Sequence, residues 1–434
     1  MAKVKKISGF PEWLPEEKLL EEEIISRIQA LYASHGFVPI ETPAVELIET
    51  LTSKGVVDKE IYALKRLAAT EEEDAELGLH FDLTVPFARY VALHFNDLVF
   101  PFKRYQLQKV WRGERPQKGR FREFYQFDVD IVARDTLPLA CDAEVVTILT
   151  KALVQLGVGT PLVKLNNRKL LVGYYQGLGL DDETAGKVIS IIDKLDKIGE
   201  EEASKLLSEL SIDGKAKDKI LEFATPKVSA DSFRSFIESY ELGSALAEEG
   251  AGELVELLSL VPAGLRSSVE VHLQIARGLD YYTGTIVESE IKEFPEFGSV
   301  GSGGRYEDLV SRYLSKKVPG VGVSLGLTRL MDLILKNDLL PKPAQSTSDV
   351  LLTVMNEEER PKTEEFAEEL RAVGISVEVF FRSPKLGKQI DYADKKGISH
   401  VVFLGEENAL KNIQSGEQVS FSTVADLKEL LSKS

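Results

Sequence analysis

The sequence predicts an α+β fold: an antiparallel sheet with flanking helices, divided by a helical insertion and followed by a small α/β domain. Three observations predict it. Strand-like segments at 105–132 and 281–325 flank a stretch from 167 to 265 that changes character, becoming rich in Glu, Lys, Leu and Ala. Within residues 122–132, Phe124, Gln126, Asp128 and Asp130 share one face, the pattern of an antiparallel strand with a binding side. Beyond residue 349, short apolar runs alternate with helical ones. A chain of 434 residues, 43% of them apolar, can fill about three domain cores.

The elements follow in order. Pro15 suits the first turn of a helix, and Leu20, Ile24, Ile25, Ile28, Leu31 and Tyr32 recur at helical spacing, so an amphipathic helix ends near Gly36. Residues 37–43 contain Pro39 and Pro43 and alternate in character, which fits an edge strand. Further strands are expected at 105–111, 122–132, 281–288 and 320–325. In the middle, Val188, Ile191, Ile192 and Leu195 form a helical stripe, and strand signals resume at Val269. Residues 339–348, with Pro341 and Pro343, have linker composition. Then strands at 350–354, 376–381 and 400–404, separated by helices near Phe366, Leu370 and Val373 and at 388–396, predict a parallel or mixed α/β domain.

Composition excludes several functions. The single cysteine, Cys141, permits no internal disulfide and no cysteine zinc cluster, and its apolar surroundings predict a buried structural thiol. The five histidines show neither metal-ligand spacing nor a triad signature, so no metal is assigned to protein side chains. No run approaches the ~20 apolar residues that cross a bilayer, and no signal-peptide core follows the first lysines; no membrane association and a cytoplasmic setting are expected. The net charge of −17 argues against nucleic acid, yet between Lys103 and Arg122 eight Lys and Arg face only Glu114. That density reads equally as a polyanion site or as a solvated face.

The chemistry concentrates in Trp111-Arg-Gly-Glu-Arg-Pro-Gln-Lys-Gly-Arg-Phe-Arg-Glu-Phe-Tyr-Gln-Phe-Asp-Val-Asp130. A strand ends at Arg112, a turn rich in Gly, Pro and cations follows, and a second strand returns with aromatics. Such a hairpin can set a guanidinium against an α-phosphate while Phe124 stacks on adenine. No Walker glycine loop is present.

This run resembles motif 2 of class II aminoacyl-tRNA synthetases in its histidyl form. Residues 37–43 resemble motif 1, the dimer-interface element, and Gly320-Val-Gly-Val-Ser-Leu-Gly-Leu-Thr-Arg329 resembles motif 3. Arg277-Gly-Leu-Asp-Tyr-Tyr282, followed by Gly301-Ser-Gly-Gly-Arg-Tyr306, resembles the signature that separates histidyl-tRNA synthetases from other class II members. The resemblance implies the class II antiparallel sheet, with catalytic parts at 1–166 and 266–338, a helical insertion at 167–265 and an anticodon-binding domain at 349–434. It implies ATP as a substrate with Mg²⁺ bridging the β- and γ-phosphates, L-histidine and tRNA(His) as the other substrates, and a homodimer.

Site roles come from the same resemblance. Arg112 and Arg277 would hold the α-phosphate as catalytic cations, Arg277 also contacting the histidine, and Arg120 and Arg329 the γ-phosphate, with Arg329 covering the adenine face opposite Phe124. Asp82 and Thr84, in Phe81-Asp-Leu-Thr84, would receive the α-ammonium, and Gln126 would lie near the substrate carboxylate. Asp130 and Tyr282 would bond the imidazole, with Tyr281 beside them. Arg115 and Gln117 would touch the tRNA acceptor end. Plain alternatives are a salt-bridge arginine for Arg277, core tyrosines for Tyr281 and Tyr282, and a cap or salt bridge for Asp82 and Asp130. Ser302, Glu307-Asp308 and His80 depart from the family's commoner residues. Residues 404–418 look shorter than usual, which predicts a missing or trimmed strand. The competing function is a noncatalytic histidine-sensing regulatory paralogue of ATP phosphoribosyltransferase, which the intact arginine set and the C-terminal domain argue against.

Overall fold

Helix α1 (Pro15–Ser34) forms where the apolar periodicity places it: Leu20, Ile24, Ile25, Ile28, Leu31 and Tyr32 are all buried. It stops before Gly36, which takes a positive φ of 78° that other residues resist. The computed structural model describes residues 4–52, 58–68, 74–276 and 282–433. It divides into two compact units, Met1–Pro11 with Ser26–Leu340 and Glu12–Ile25 with Pro341–Ser434.

In the first unit, β1 (Val38–Pro39) lies at a sheet edge as expected, although it is shorter than the predicted strand. Pro39 has no N–H to donate, and one further backbone bond, from Ile40 N to Tyr105 O at 3.0 Å, continues the contact. A three-stranded sheet follows, made of β2 (Val45–Leu47), β3 (Ala63–Leu64) and β4 (Leu77–Leu79), with α2 (Ile48–Thr52) between its first two strands. Then come α3 (Thr84–Leu93), β5 (Phe102–Trp111), β6 (Glu123–Val132), α4 (Ala140–Leu156) and β7 (Pro161–Asn167).

The helical stretch holds α5 (Arg168–Gly177), α6 (Asp182–Ile192), α7 (Leu195–Glu209), α8 (Gly214–Ala224), α9 (Phe233–Ile237) and α10 (Ala245–Leu260). It also contributes β8 (Lys227–Ser229), a strand that the helical composition hid. The unit closes with β9 (Val269–His272), β10 (Tyr282–Ile291), β11 (Gly301–Tyr306), β12 (Gly320–Gly326) and α11 (Leu327–Lys336).

Among the described residues the large sheet runs β1-β5-β6-β12-β11-β10-β7-β9-β8. Its pairs are antiparallel except β1 with β5 and β7 with β9. The period of two along β6 does the sorting: Phe127, Val129 and Ile131 are fully buried in apolar packing, while Gln126, Asp128 and Asp130 share the other face. Helix α4 packs against β12 and buries Val145, Val146, Ile148, Leu149 and Leu153. Cys141, at its start, is half-buried rather than buried, and burial pushes its thiol up, away from reactivity.

The second unit carries β13 (Val350–Leu352), α12 (Arg360–Ala372), β14 (Val377–Val379), α13 (Leu386–Lys396), β15 (His400–Phe403), β16 (Asn408–Asn412), β17 (Gln418–Phe421) and α14 (Val424–Lys433). Its sheet, β14-β13-β15-β16-β17, is parallel in its first three strands and antiparallel in the rest, hence mixed. The trimmed-strand expectation for 404–418 is corrected here. Leu410 and Phe421 both reach this unit's core, so β16 and β17 pair as a hairpin despite the short segment.

Candidate functional site

The β5–β6 hairpin builds one wall of an open cleft of about 680 Å³. Arg112 follows the last residue of β5, and its backbone N–H bonds Arg122 O at 2.9 Å as the strands separate. Its Nε donates to Phe81 O at 3.2 Å, and the guanidinium lies 4.3 Å from the Phe81 ring centre and 5.1 Å from that of Phe124. At the hairpin tip, Gln117 and Arg120 exchange backbone hydrogen bonds of 3.2 and 2.8 Å. Gly119 then docks on α11: its N–H donates to Asp332 Oδ2 at 3.2 Å, and its carbonyl accepts from Arg329 Nε at 2.7 Å. Arg329 also donates to Ser299 O. Loop and helix therefore hold each other, and their cations point into one space.

Arg112, Arg120, Phe124, Gln126 and Arg329 all line this cleft, with Glu114 and Glu288 as carboxylates on its wall. Arg120 pairs with Glu114 at 3.3 Å. Burial, followed by the charges of Arg120 and Arg112, pushes the Arg329 pKa down, and burial does the same to Arg112. The repulsion among these cations is what a bound polyanion would relieve.

A second, smaller cavity is lined by Thr84, Asp128, Asp130, Tyr282, Ser302, Tyr306, Gly322, Val323 and Ser324. Ser302, Ser324 and the strands that carry them also line the cleft, so the two spaces adjoin. Asp130 is 3% exposed, accepts from Tyr306 Oη at 2.8 Å and meets Arg104 Nη2 at 2.6 Å. The fit depends on missing side chains: a Cβ on Gly322 would stand 2.0 Å from Asp130 Oδ1, and one on Gly304 would stand 2.9 Å from the Tyr282 ring. Arg104, fully buried, also bonds Gln106 at 3.1 Å, and Gln106 bonds Thr42 at 3.0 Å, so the acid rests on a polar layer reaching residues 37–43.

The expected site residues divide as follows. Arg112, Arg120, Phe124, Gln126 and Arg329 meet in the cleft; Thr84, Asp130 and Tyr282 meet in the cavity. Asp82 lies beside them but lines neither space; it is 5% exposed, and its Oδ1 accepts from Val85 N at 3.0 Å, the capping role its residue type suggests. Arg115 and Gln117 are exposed on the hairpin loop. Arg277 and Tyr281 lie outside the described residues. Asp130 is already engaged by Arg104 and Tyr306, so the pocket presents an ion-paired carboxylate rather than an open one.

Sequence reasoning gave no role to Asp128, Tyr306, Arg104 or Ser324. Asp128 was nevertheless visible on the same face of β6 as Gln126 and Asp130. Tyr306 ends the Gly-Gly-Arg-Tyr run, whose Arg305 instead pairs with Asp142 through Nε at 3.1 Å and Nη2 at 2.5 Å. Burial pushes Asp128 up to about 7; Arg104 opposes this, and the charges of Asp130 and Asp82 add to it.

Comparison with known proteins agrees with this geometry. A family model described as histidyl-tRNA synthetase matches residues 9–330, and one described as anticodon binding domain matches 349–433. The chain is 44% identical to a histidine–tRNA ligase of Thermobifida fusca, over 95% of each chain. It superposes on the crystal structure of histidyl-tRNA synthetase from Nostoc sp. PCC 7120 with a TM-score of 0.89 and 38% identity, covering 100% of both chains. A Bacillus halodurans structure titled as an ATP phosphoribosyltransferase regulatory subunit/histidyl-tRNA synthetase shares the fold alone, at a TM-score of 0.71 and 20% identity over 86% of this chain and 92% of its own. With its arginine-lined cleft joined to a small acidic cavity, and with relatives matched along nearly its whole length, the chain belongs to the histidyl-tRNA synthetase family.

Proposed function

We propose that the chain is a histidine–tRNA ligase that activates L-histidine with ATP and transfers it to the 3′ end of tRNA(His). The observation that carries the reading is the meeting of Arg112, Arg120, Arg329 and Phe124 in one cleft, adjoining the cavity of Asp130, Tyr282 and Tyr306. In the first step the histidine carboxylate attacks the α-phosphorus and pyrophosphate leaves. Charge grows on the phosphate oxygens, where Arg112 and Arg277 supply preorganised cations. Arg120 and Arg329 hold the γ-phosphate, and Phe124 and Arg329 enclose the adenine. Asp82 and Thr84 take the α-ammonium, and Gln126 the region of the carboxylate. Asp130, Tyr281 and Tyr282 read the imidazole, and a buried polar pocket of this kind rejects isosteres without editing. In the second step a ribose hydroxyl of the terminal adenosine attacks the histidyl carbonyl and AMP leaves, with Arg115 and Gln117 on the acceptor end.

Mg²⁺ would travel with the nucleotide. The described residues hold no cluster of three or more His, Cys, Asp or Glu suited to a metal, while Glu114 and Glu288 offer single carboxylates on the cleft wall. That donor set fits an ion held chiefly by phosphates and water, where it would neutralise the leaving pyrophosphate. Catalytic parts at 1–166 and 266–338, an insertion at 167–265 and an anticodon-binding domain at 349–434 complete the assignment. A homodimer is proposed from the motif 1 resemblance of 37–43. A cytoplasmic setting accords with described helices that are too short or too polar to cross a membrane. Histidine-dependent exchange of labelled pyrophosphate into ATP, followed by charging of tRNA(His), tests the proposal. Folded protein that binds histidine and performs neither reaction would point to the sensing paralogue.

A further inference from the structure

The cavity contains a carboxylate for which the assigned roles have no use. Asp128 is 3% exposed and lines the smaller cavity, yet its Oδ1 is buried without a hydrogen-bond partner. Its other oxygen lies 4.0 Å from Arg104 Nη2, too far for a hydrogen bond, while that guanidinium makes its 2.6 Å contact with Asp130; the Ser324 hydroxyl is the side chain that hydrogen-bonds the Asp128 carboxylate and leaves Oδ1 unmatched. A buried acceptor left unmatched is costly, by about 1–3 kcal/mol for an ordinary group, and is kept where something binds it.

Position indicates what binds. On β6, Asp128 stands between Gln126, which lines the nucleotide cleft, and Asp130, which is bound to Tyr306 at the far side. It lies opposite Ser324 on β12, and Ser324 lines both spaces and accepts from Gln126 Nε2 at 2.7 Å. The amino acid's carboxylate must reach the cleft to attack phosphorus, and its ammonium sits on the adjacent carbon, hence at this junction. Asp82, the acid expected to hold the ammonium, lines neither space and spends Oδ1 on the start of α3.

Resting on the histidine-activation reading, we propose that Asp128 is a direct substrate-binding residue whose partnerless carboxylate oxygen accepts a hydrogen bond from the α-ammonium of the bound amino acid. Its neighbours accord with this. Burial and the charges of Asp130 and Asp82 push Asp128 up to about 7 against the pull of Arg104, and an arriving cation favours its ionised form. Two carboxylates then share the cavity by function: Asp130 with Tyr306 at the ring, Asp128 at the ammonium.

The test compares two ligands on the purified full-length chain by calorimetry. Histidinol keeps both ammonium and imidazole, whereas imidazole-propionate carries only hydrogen where histidine carries the ammonium, and so offers Asp128 no donor. Asp128→Asn should weaken histidinol about 10- to 100-fold, the worth of one charge-assisted hydrogen bond, and leave imidazole-propionate within about two-fold. Asp128→Ser, which removes the carboxylate with less bulk, should show the same split should the asparagine variant fold poorly. Equal weakening of both ligands, or no weakening of histidinol, would overturn the assignment. Wild-type protein that binds no histidine at all would remove the activation reading itself, and this inference with it.

Discussion

Substituting Gly322 by alanine probes the cavity by steric means alone. The new Cβ would stand 2.0 Å from Asp130 Oδ1, 2.5 Å from its Cγ and 2.7 Å from the Val129 carbonyl oxygen. Ordinary carbon contacts lie near 3.5–4.0 Å, so Asp130 must retreat by roughly 1 Å or more. It cannot do so without loosening its 2.6 Å contact with Arg104 and its 2.8 Å bond from Tyr306. Overpacking of this kind costs about 1–3 kcal/mol of stability. Loss of one hydrogen bond to a charged group adds about 1.5–3 kcal/mol at the substrate, or roughly 10- to 150-fold in the KM for histidine. The KM for ATP should stay within about two-fold, since the cleft arginines share no partner with Gly322. Pyrophosphate exchange, with each substrate titrated separately, reads the split. Gly186→Ala, where nothing lies within 4 Å of the added carbon, is the control that should change neither constant. Equal loss for both substrates, or an unchanged histidine KM, would refute the placement of Asp130 in the amino-acid pocket.

Four further outcomes follow from the proposed function and from the geometry of the described site. Arg329→Ala releases Gly119 and Ser299 as well as a cleft cation, so the KM for ATP should rise at least about 10-fold while histidine binding by calorimetry stays unchanged. Arg277→Ala should lower the rate of adenylate formation about 10²-fold or more in rapid-quench assays, as loss of a preorganised transition-state cation does. Arg115→Ala and Gln117→Ala should slow charging of tRNA(His) while leaving pyrophosphate exchange intact. Asp128, pushed by burial from the ordinary carboxylate range up to about 7, binds its proton more tightly folded than unfolded, so its contribution to stability is greatest at low pH and lost as pH rises through 7. Burial and the charges of Asp130 and Asp82 raise it, Arg104 and the Ser324 hydroxyl oppose them, and Tyr32 and Arg112 also face the group. Chemical denaturation at pH 5 and pH 8 should therefore show a smaller loss of stability for Asp128→Asn than for the wild type.

The hairpin of β5 and β6 was legible because its signals are local. Alternation fixes which residues share a face, and the Gly, Pro and cation-rich turn between Arg112 and Arg122 marks the reversal. The convergence of Arg112 and Arg120 with Arg329 could be expected only through the family resemblance, since more than two hundred residues separate them in sequence. What stayed hidden depends on register between strands. Nothing in residues 102–111 says that Arg104 will face Asp130, or that Gly322 will lie flat beneath it; those pairings appear only once β5, β6 and β12 are aligned. The same holds for β8, three residues within a helical stretch, which pairs with β9 at the far end of the sheet. Residues 12–25, which include the first part of α1, group with the C-terminal unit, a partition no periodicity reveals because the helical stripe runs through it unbroken. The short segment at 404–418 misled because residue count does not determine pairing: five residues in β16 and four in β17 suffice for a hairpin.

The central claim is that one continuous space holds a nucleotide on its arginines and an imidazole on its acids. A crystal structure with a nonhydrolysable histidyl-adenylate analogue tests it most directly. The account predicts the phosphate mimic beside Arg112, the adenine against Phe124 and Arg329, and the imidazole against the Asp130–Tyr306 pair. An analogue bound elsewhere, or one whose imidazole leaves that cavity empty, would contradict it.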